Sequence, residues 1–229
     1  MTYVVAFDLD GTLVDTPRAI VETFTAAFAA MAAQPRDAAA IRATIGLPLE
    51  LAFSTLLGVA LEDDRVAHGV KQYQALFKEL VLPRASALIF PGVADGLEAL
   101  RAQGHTLAVA TSKVYASADA LLSAAGLRGA FSVVVGADQV THPKPHPEMA
   151  QAIMRTFGVS PERAVMVGDT THDLLMAQAA GMSSVAVTYG VHGVQELRSS
   201  DPTWIADTFD DVLDCIEACY RGAQACPRA

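Results

Sequence analysis

The chain has 229 residues, 52% hydrophobic and 18% charged. This composition excludes a disordered or solvating polypeptide and suits one large or two small domains with a buried core. Asp and Glu number 25 against 16 Lys and Arg, a formal net charge of −9, which argues against a protein that wraps nucleic acid or docks on an anionic membrane. A phosphate-bearing small molecule is still compatible with that balance, because a few local cations outweigh a distant negative surface.

The N-terminus reads Met1-Thr2-Tyr3-Val4-Val5-Ala6-Phe7-Asp8. It has no basic start and meets an acid at once, so no signal peptide and a cytoplasmic location are expected. The first apolar run, 4–7, is followed by Asp8-Leu9-Asp10-Gly11-Thr12. After it the chain loses strand signals for a long stretch. Ile20, Phe24, Phe28 and Met31 repeat at helical spacing, then Leu49, Phe53 and Leu56, then Val66, Val70, Tyr73, Phe77 and Leu80. Amphipathic helices with their own apolar faces predict a small helical bundle inserted into another domain. Its seams fall near Thr16-Pro17 and between Pro83 and Pro91-Gly92, giving a helical domain over 17–84 and a second domain built from 1–16 and 85–229.

Beyond the insertion, apolar runs at 107–110, 133–135, 164–167 and 185–187 alternate with helical patterns such as Val93, Leu97 and Leu100, or Met149, Ile153 and Phe157. Unalternated apolar strands separated by helices predict a doubly wound, Rossmann-like α/β fold with a parallel sheet. The run over 174–195 lacks charge but is broken by Gly181, Ser183, Ser184, Thr188, Gly190 and Gly193, which makes it a poor membrane span despite a mean hydropathy of +0.32. Cys215, Cys219 and Cys226 cluster near the C-terminus. Cys215 and Cys219 lie one turn apart on a face shared with Val212 and Ile216, and reduced thiols are expected.

In open parallel sheets ligands bind beyond the carboxyl ends of the strands, where strand order reverses. The residues after each run therefore matter most: Asp8 and Asp10 after the first, Thr111-Ser112-Lys113 after the second, and Gly168-Asp169-Thr170-Thr171-His172-Asp173 after the fourth, with Lys144-Pro145 preceding that strand's helix. Asp8, Asp10 and Asp169 would converge. Two unit charges at ~4 Å repel by roughly 4 kcal/mol at an effective dielectric near 20, so such a cluster calls for a cation. Carboxylates without cysteine favour Mg²⁺. Lys144 and the amides at the helix starts after Thr111 and Thr170 add positive potential, completing a phosphate site with a carboxylate nucleophile in it. Singly, an aspartate after a strand is usually a cap and Lys-Pro usually a surface turn; four such elements in order on one sheet carry the inference.

Asp8-x-Asp10-Gly11-Thr12-Leu13-Val14-Asp15, Thr111-Ser112, Lys144-Pro145 and Gly168-Asp169-x-x-x-Asp173 together resemble the haloacid dehalogenase superfamily. The resemblance covers residue 3 to about residue 213. The helical insertion, with Phe90-Pro91-Gly92-Val93 and Ala179-Ala180-Gly181-Met182, is similar to the phosphoglycolate phosphatase-like branch and its cap domain. The resemblance implies a Mg²⁺-dependent phosphatase of small phosphorylated metabolites, 2-phosphoglycolate first, acting through an aspartyl phosphate. By that likeness Asp8 would be the nucleophile and Asp10 the acid and then the base. Thr111, with amides near Leu9 and Ser112, would bind the phosphoryl group, and Lys144 would neutralise its charge and hold Asp8 ionised. Asp8, Asp169 and the Asp10 carbonyl would hold the metal, with Asp173 acting through water or orienting the other groups. Lys113 is placed at the pocket rim. No nucleic-acid or membrane partner is expected, and the assembly would be a monomer or homodimer.

Some residues also have simpler roles. Ser112 suits a cap for the helix starting near Val114, His172 a solvated helix start, and His142 and His146 a loop. Arg42, Lys71 and Lys78 are candidate contacts for a substrate carboxylate but better suit solvated faces, and Gly46-Leu47-Pro48-Leu49 suits a turn reaching over the site. Rival chemistries differ at readable positions. Asp10 disfavours a dehalogenase; Ile20 stands where sugar phosphomutases of this superfamily usually carry histidine; and the absence of lysine before Lys71 disfavours a Schiff-base phosphonate hydrolase. A pyrophosphatase uses the same machinery. A non-catalytic phosphate-binding module would not need the intact acidic set.

Overall fold

The computed structural model describes residues 3–221; Cys226 lies outside them. Six strands form one all-parallel sheet: β1 (Val4–Phe7), β2 (Thr106–Ala110), β3 (Val133–Val135), β4 (Ala164–Gly168), β5 (Ser183–Val187) and β6 (Trp204–Ala206). Their spatial order is β3-β2-β1-β4-β5-β6. From β1 the chain steps outward through β2 and β3, then crosses back to the other side of β1 for β4 to β6, so strand order reverses between β1 and β4. The doubly wound fold expected from the alternation is what forms. The five expected strands lie where the apolar runs placed them; β6, three residues at the sheet edge, gives no comparable run.

Because successive strand residues face opposite sides, the core divides in two. Val5, Phe7, Val109, Val165 and Val167 pack on one side beneath α5 (Val93–Ala102), α6 (Tyr115–Ala124) and α10 (Phe209–Arg221). Val4, Ala6, Ala108, Ala110 and Met166 face α7 (Glu148–Phe157) and α8 (Thr171–Ala179) on the other. Both faces are covered, which is why these strands carry no polar alternation. Cys215 is buried and Cys219 half-buried on α10, and neither forms a disulfide among the described residues. No helix there is long and apolar enough to cross a membrane.

Between β1 and α5 run α1 (Pro17–Ala30), α2 (Ala38–Arg42), α3 (Leu49–Leu57) and α4 (Asp64–Leu80). Proline opens α1, where its missing amide costs nothing; Asp37 and Asp63 cap α2 and α4 by accepting from the amides of Ala40 and Arg65. Phe24 lies 4.9 Å from Phe53 and 4.7 Å from Tyr73, ring centre to ring centre, making an aromatic core for the helices. The helical periodicity holds except at Leu80, which is 40% exposed at the end of α4, and the short α2 has no sequence signal of its own. The strands of chain entering and leaving this segment pair with each other: Val14 bridges Ile89 antiparallel, and the Asp15 amide donates to the Leu88 carbonyl at 2.6 Å.

Candidate active site

Parallel register sets the site. Phe7 lies opposite Val109 of β2 and Val167 of β4, and the Asp8 amide donates to the Val167 carbonyl at 2.9 Å. The chain therefore leaves β1 and β4 at the same level of the reversal crevice, and Asp8 and Asp169 emerge side by side. Oxygens of Asp8, Asp169 and Asp173 lie within 4.8 Å of one another, all three residues buried. Lys144, its side chain 2% exposed, reaches across from the loop before α7 and donates to Asp8 Oδ1 at 2.7 Å and Asp173 Oδ1 at 2.5 Å. The second oxygen of Asp173 accepts from the Thr170 amide and hydroxyl at 3.1 and 2.8 Å, in the first turn of α8.

Asp169 is held from two directions. Thr12 Oγ1 donates to its Oδ1 and the Val191 amide to its Oδ2, both at 2.8 Å. The backbone closes so tightly on this carboxylate that a side chain at Gly11 or Gly190 would collide with it, and Gly11 also has a positive φ of 88°. Burial, with Asp8 and Asp173 adding to it, pushes the Asp169 carboxyl well above its usual range. Burial likewise pushes Asp8 up to about 7, although Lys144 opposes the shift. On Lys144 burial works against the charge, yet its two carboxylates outweigh it and hold the ammonium charged. The sequence-based expectation that Lys144 keeps Asp8 ionised is thus met by a stronger opposing effect: one ammonium is shared between two carboxylates in a dry site.

Asp10 faces elsewhere. Its Oδ1 accepts from Thr16 Oγ1 at 2.5 Å and its Oδ2 lies 3.4 Å from Lys113 Nζ, so its carboxylate stands outside the acidic cluster. Its backbone carbonyl accepts no hydrogen bond from the described residues, which leaves that oxygen as its donor toward a cation. Lys113 also sits over the Phe77 ring at 4.1 Å. Thr111 is buried, its hydroxyl accepting from the Lys113 amide at 3.2 Å. The amides of Leu9, Asp10 and Ser112 make no hydrogen bond among the described residues, and the Leu9 side chain belongs to the core.

A cleft of about 770 Å³, counting its mouth, joins Asp8, Asp10, Thr111, Lys113, Lys144 and Asp173 to residues of α1, α3 and α4. Ser112 does not cap a helix: α6 begins at Tyr115 with no side-chain cap, and Ser112 Oγ donates instead to the Gly46 carbonyl at 2.6 Å. His172 is half-buried rather than solvated, because Gly46 lies against its ring, and burial lowers its pKa. His142 and His146 are exposed loop residues beside Glu148. Lys71 and Lys78 are exposed, while Arg42 donates to the Gly190 carbonyl at 3.2 Å. Thr16, Tyr73, Gly190 and the Val191 amide carry no motif signal apart from their neighbours; Thr12 was visible as the residue after Gly11 and Thr170 as the residue after Asp169.

A family model described as haloacid dehalogenase-like hydrolase matches residues 5–187. A protein of Dickeya dadantii named probable phosphatase IndB is 55% identical over 221 residues, covering 96% of each chain. Pyrophosphatase PpaX of Halalkalibacterium halodurans is 32% identical over 212 residues, covering 93% of this chain and 95% of its own. The crystal structure of a predicted phosphoglycolate phosphatase from Haemophilus somnus superimposes with a TM-score of 0.83 at 27% identity, over 93% of this chain and 97% of that one. The matched span begins in β1 and ends with β5, and so contains every acidic residue and both lysines of the cleft. The chain belongs to the haloacid dehalogenase-like hydrolase family and is a phosphatase within it.

Proposed function

We propose that the protein hydrolyses small phosphomonoesters with Mg²⁺ through a covalent phosphate on Asp8. The observation that carries this reading is the convergence of Asp8, Asp169 and Asp173 on one buried point with Lys144 against two of them. The donor set is all oxygen, and the Asp10 carbonyl would join the carboxylates without a competing hydrogen bond among the described residues. Such hard donors fit Mg²⁺ better than a thiophilic ion. Asp8, Asp169 and the Asp10 carbonyl would hold the ion, with Asp173 behind them. When bound, it supplies positive charge to the phosphate and keeps the carboxylates ionised.

The remaining work falls to the chain itself. Asp8 Oδ attacks phosphorus while the bond to the leaving oxygen breaks on the opposite side. Asp10, steadied by Thr16 and Lys113, gives its proton to that oxygen. It then takes one back from the water that attacks the aspartyl phosphate, restoring both aspartates and releasing inorganic phosphate. In this reading the Thr111 hydroxyl and the amides of Leu9, Asp10 and Ser112 bind the phosphoryl oxygens, and Lys144 neutralises the charge that grows on them. Ile20 lines the cleft, about where sugar phosphomutases of this superfamily usually carry histidine, which favours water as the acceptor.

Residues 17–84 act in this reading as a cap that closes the cleft and excludes bulk water during the covalent stage. The paired linkers at Val14 and Ile89 and the Ser112–Gly46 contact support that role. The relatives' names make 2-phosphoglycolate the first substrate to assay and pyrophosphate the rival, since the same groups would open a phosphoanhydride. The test is Asp8→Asn: turnover of p-nitrophenyl phosphate falls to background with the fold retained, and acid-quenched wild-type protein carries labelled phosphate that the variant lacks. Residual activity above a few per cent of wild type excludes the covalent route.

A further inference from the structure

Resting on the phosphomonoesterase reading, we infer that the substrate's alcohol portion is uncharged and presents an apolar, ring-sized face, so that carboxylate-bearing esters such as 2-phosphoglycolate are poor substrates. The phosphate end of the cleft is fixed by Asp8, Thr111 and Lys144; what lies opposite must meet the leaving group. None of the residues that segment 17–84 contributes there carries a formal charge. Ile20, Phe24, Leu47, Leu49 and Phe77 supply apolar surface, and the Phe24, Tyr73 and Phe77 rings follow one another at 4.7 and 5.8 Å. Tyr73 is buried and lines the cleft; with Gln74 it offers neutral hydrogen-bonding groups to a hydroxyl, amide or carbonyl on the substrate.

The cations that line the cleft are already engaged, and Lys71 and Lys78, exposed on α4, do not line it. Lys144 is shared between Asp8 and Asp173, and Lys113 lies between Asp10 and the Phe77 ring. Arg18 and Arg84 pair with Glu22, Arg65 pairs with Asp63, Arg36 bonds the Leu56 carbonyl and Arg42 the Gly190 carbonyl, and none of these arginines lines the cleft. Three aspartates against two lysines leave the cleft lining negative, and a divalent ion is balanced by the phosphate dianion it binds. A second anionic group on the substrate would enter this space without a partner, whereas an apolar ring would displace water from matching surface. Pyrophosphate suffers the same mismatch at its leaving end.

The test compares kcat/KM for benzyl phosphate, 2-phosphoglycolate and pyrophosphate with Mg²⁺ present, using p-nitrophenyl phosphate to verify the chemistry. Benzyl phosphate is expected to exceed 2-phosphoglycolate by at least about tenfold, a ratio that a few buried apolar carbons supply. In Gln74→Arg, a change at an exposed position on the cleft rim, the ratio of benzyl phosphate to 2-phosphoglycolate should fall by about tenfold or more, because the carboxylate gains a partner. Wild-type turnover of 2-phosphoglycolate or pyrophosphate equal to or above that of benzyl phosphate overturns the inference while leaving the phosphatase reading intact. An unmoved ratio in Gln74→Arg overturns the assignment of this wall to the leaving group. Absence of turnover with all four compounds brings down the phosphatase reading and this inference with it.

Discussion

Replacing Lys144 by methionine isolates the electrostatic problem at the centre of the molecule. The ammonium is almost wholly buried and touches two carboxylates at 2.7 and 2.5 Å. Methionine keeps the stem's packing and removes only the charge. Oxygens of Asp8, Asp169 and Asp173 remain within 4.8 Å of one another, where each charged pair repels by about 3 kcal/mol at an effective dielectric near 20. Removing one partner of a buried ion pair costs about 3–5 kcal/mol, a large part of a typical domain stability of about 5–15 kcal/mol. In metal-free protein near pH 8, Lys144→Met should therefore lose about 3–5 kcal/mol by urea denaturation.

The loss should shrink near pH 5. Asp8 already has a folded pKa of about 7 against an ordinary 3.8, and Asp169 shifts in the same direction. A carboxyl with a raised folded pKa binds more protons folded than unfolded, so its favourable contribution is complete at low pH and disappears as pH climbs through the folded value. Wild-type metal-free protein should thus weaken between about pH 4 and pH 7, and Mg²⁺ should reverse the decline. In the variant, protonation removes the repulsion that Lys144 no longer offsets. Asp173→Asn added to Lys144→Met should recover part of the loss at pH 8, as coupled neighbours do. A loss below about 1 kcal/mol, the value of an exposed ion pair, or a loss independent of pH, would refute the electrostatic account of the site.

Three other outcomes follow from the same geometry. Gly11→Ala places a methyl group against the Asp169 carboxylate at a positive φ and should cost about 1–3 kcal/mol and weaken Mg²⁺ binding in a calorimetric titration; unchanged affinity would show that the loop relaxes freely. Phe53→Ala empties a fully buried position between Phe24, Phe28 and Tyr73, for a loss of about 3–5 kcal/mol on thermal and urea unfolding. Asp10→Asn should cripple both formation and hydrolysis of the phosphoenzyme in rapid-quench measurements, while a variant that still phosphorylates at the wild-type rate would remove Asp10 from the acid's role.

Much of the architecture could be read along the chain because the relevant signals are local. A buried parallel strand is a short unbroken apolar run, and the polar residue that ends it is already at the edge of the sheet, so Asp8, Thr111 and Asp169 were marked by the runs preceding them. The helices of segment 17–84 announced themselves through Phe24, Phe53 and Phe77 at helical spacing. The shortest elements were not all legible: β3 is three valines and could be read, but β6, also three residues, gains its identity only by pairing with β5, and α2 has five.

What tertiary structure alone decided were pairings between residues far apart in the chain. Thr12 meets Asp169, Ser112 meets Gly46, and Arg42 meets Gly190 only because parallel register and the reversal of strand order bring separate loops to one level. The direction of the Asp10 carboxylate, toward Thr16 and Lys113 and away from the other acids, could not come from its place two residues after Asp8. Nor could the uncharged wall that the helical segment gives the cleft, which depends on which faces of its helices turn toward the strand ends. Local sequence dictates which side chains stand at the ends of strands; burial and the competition for a limited number of counter-charges dictate what those side chains do there.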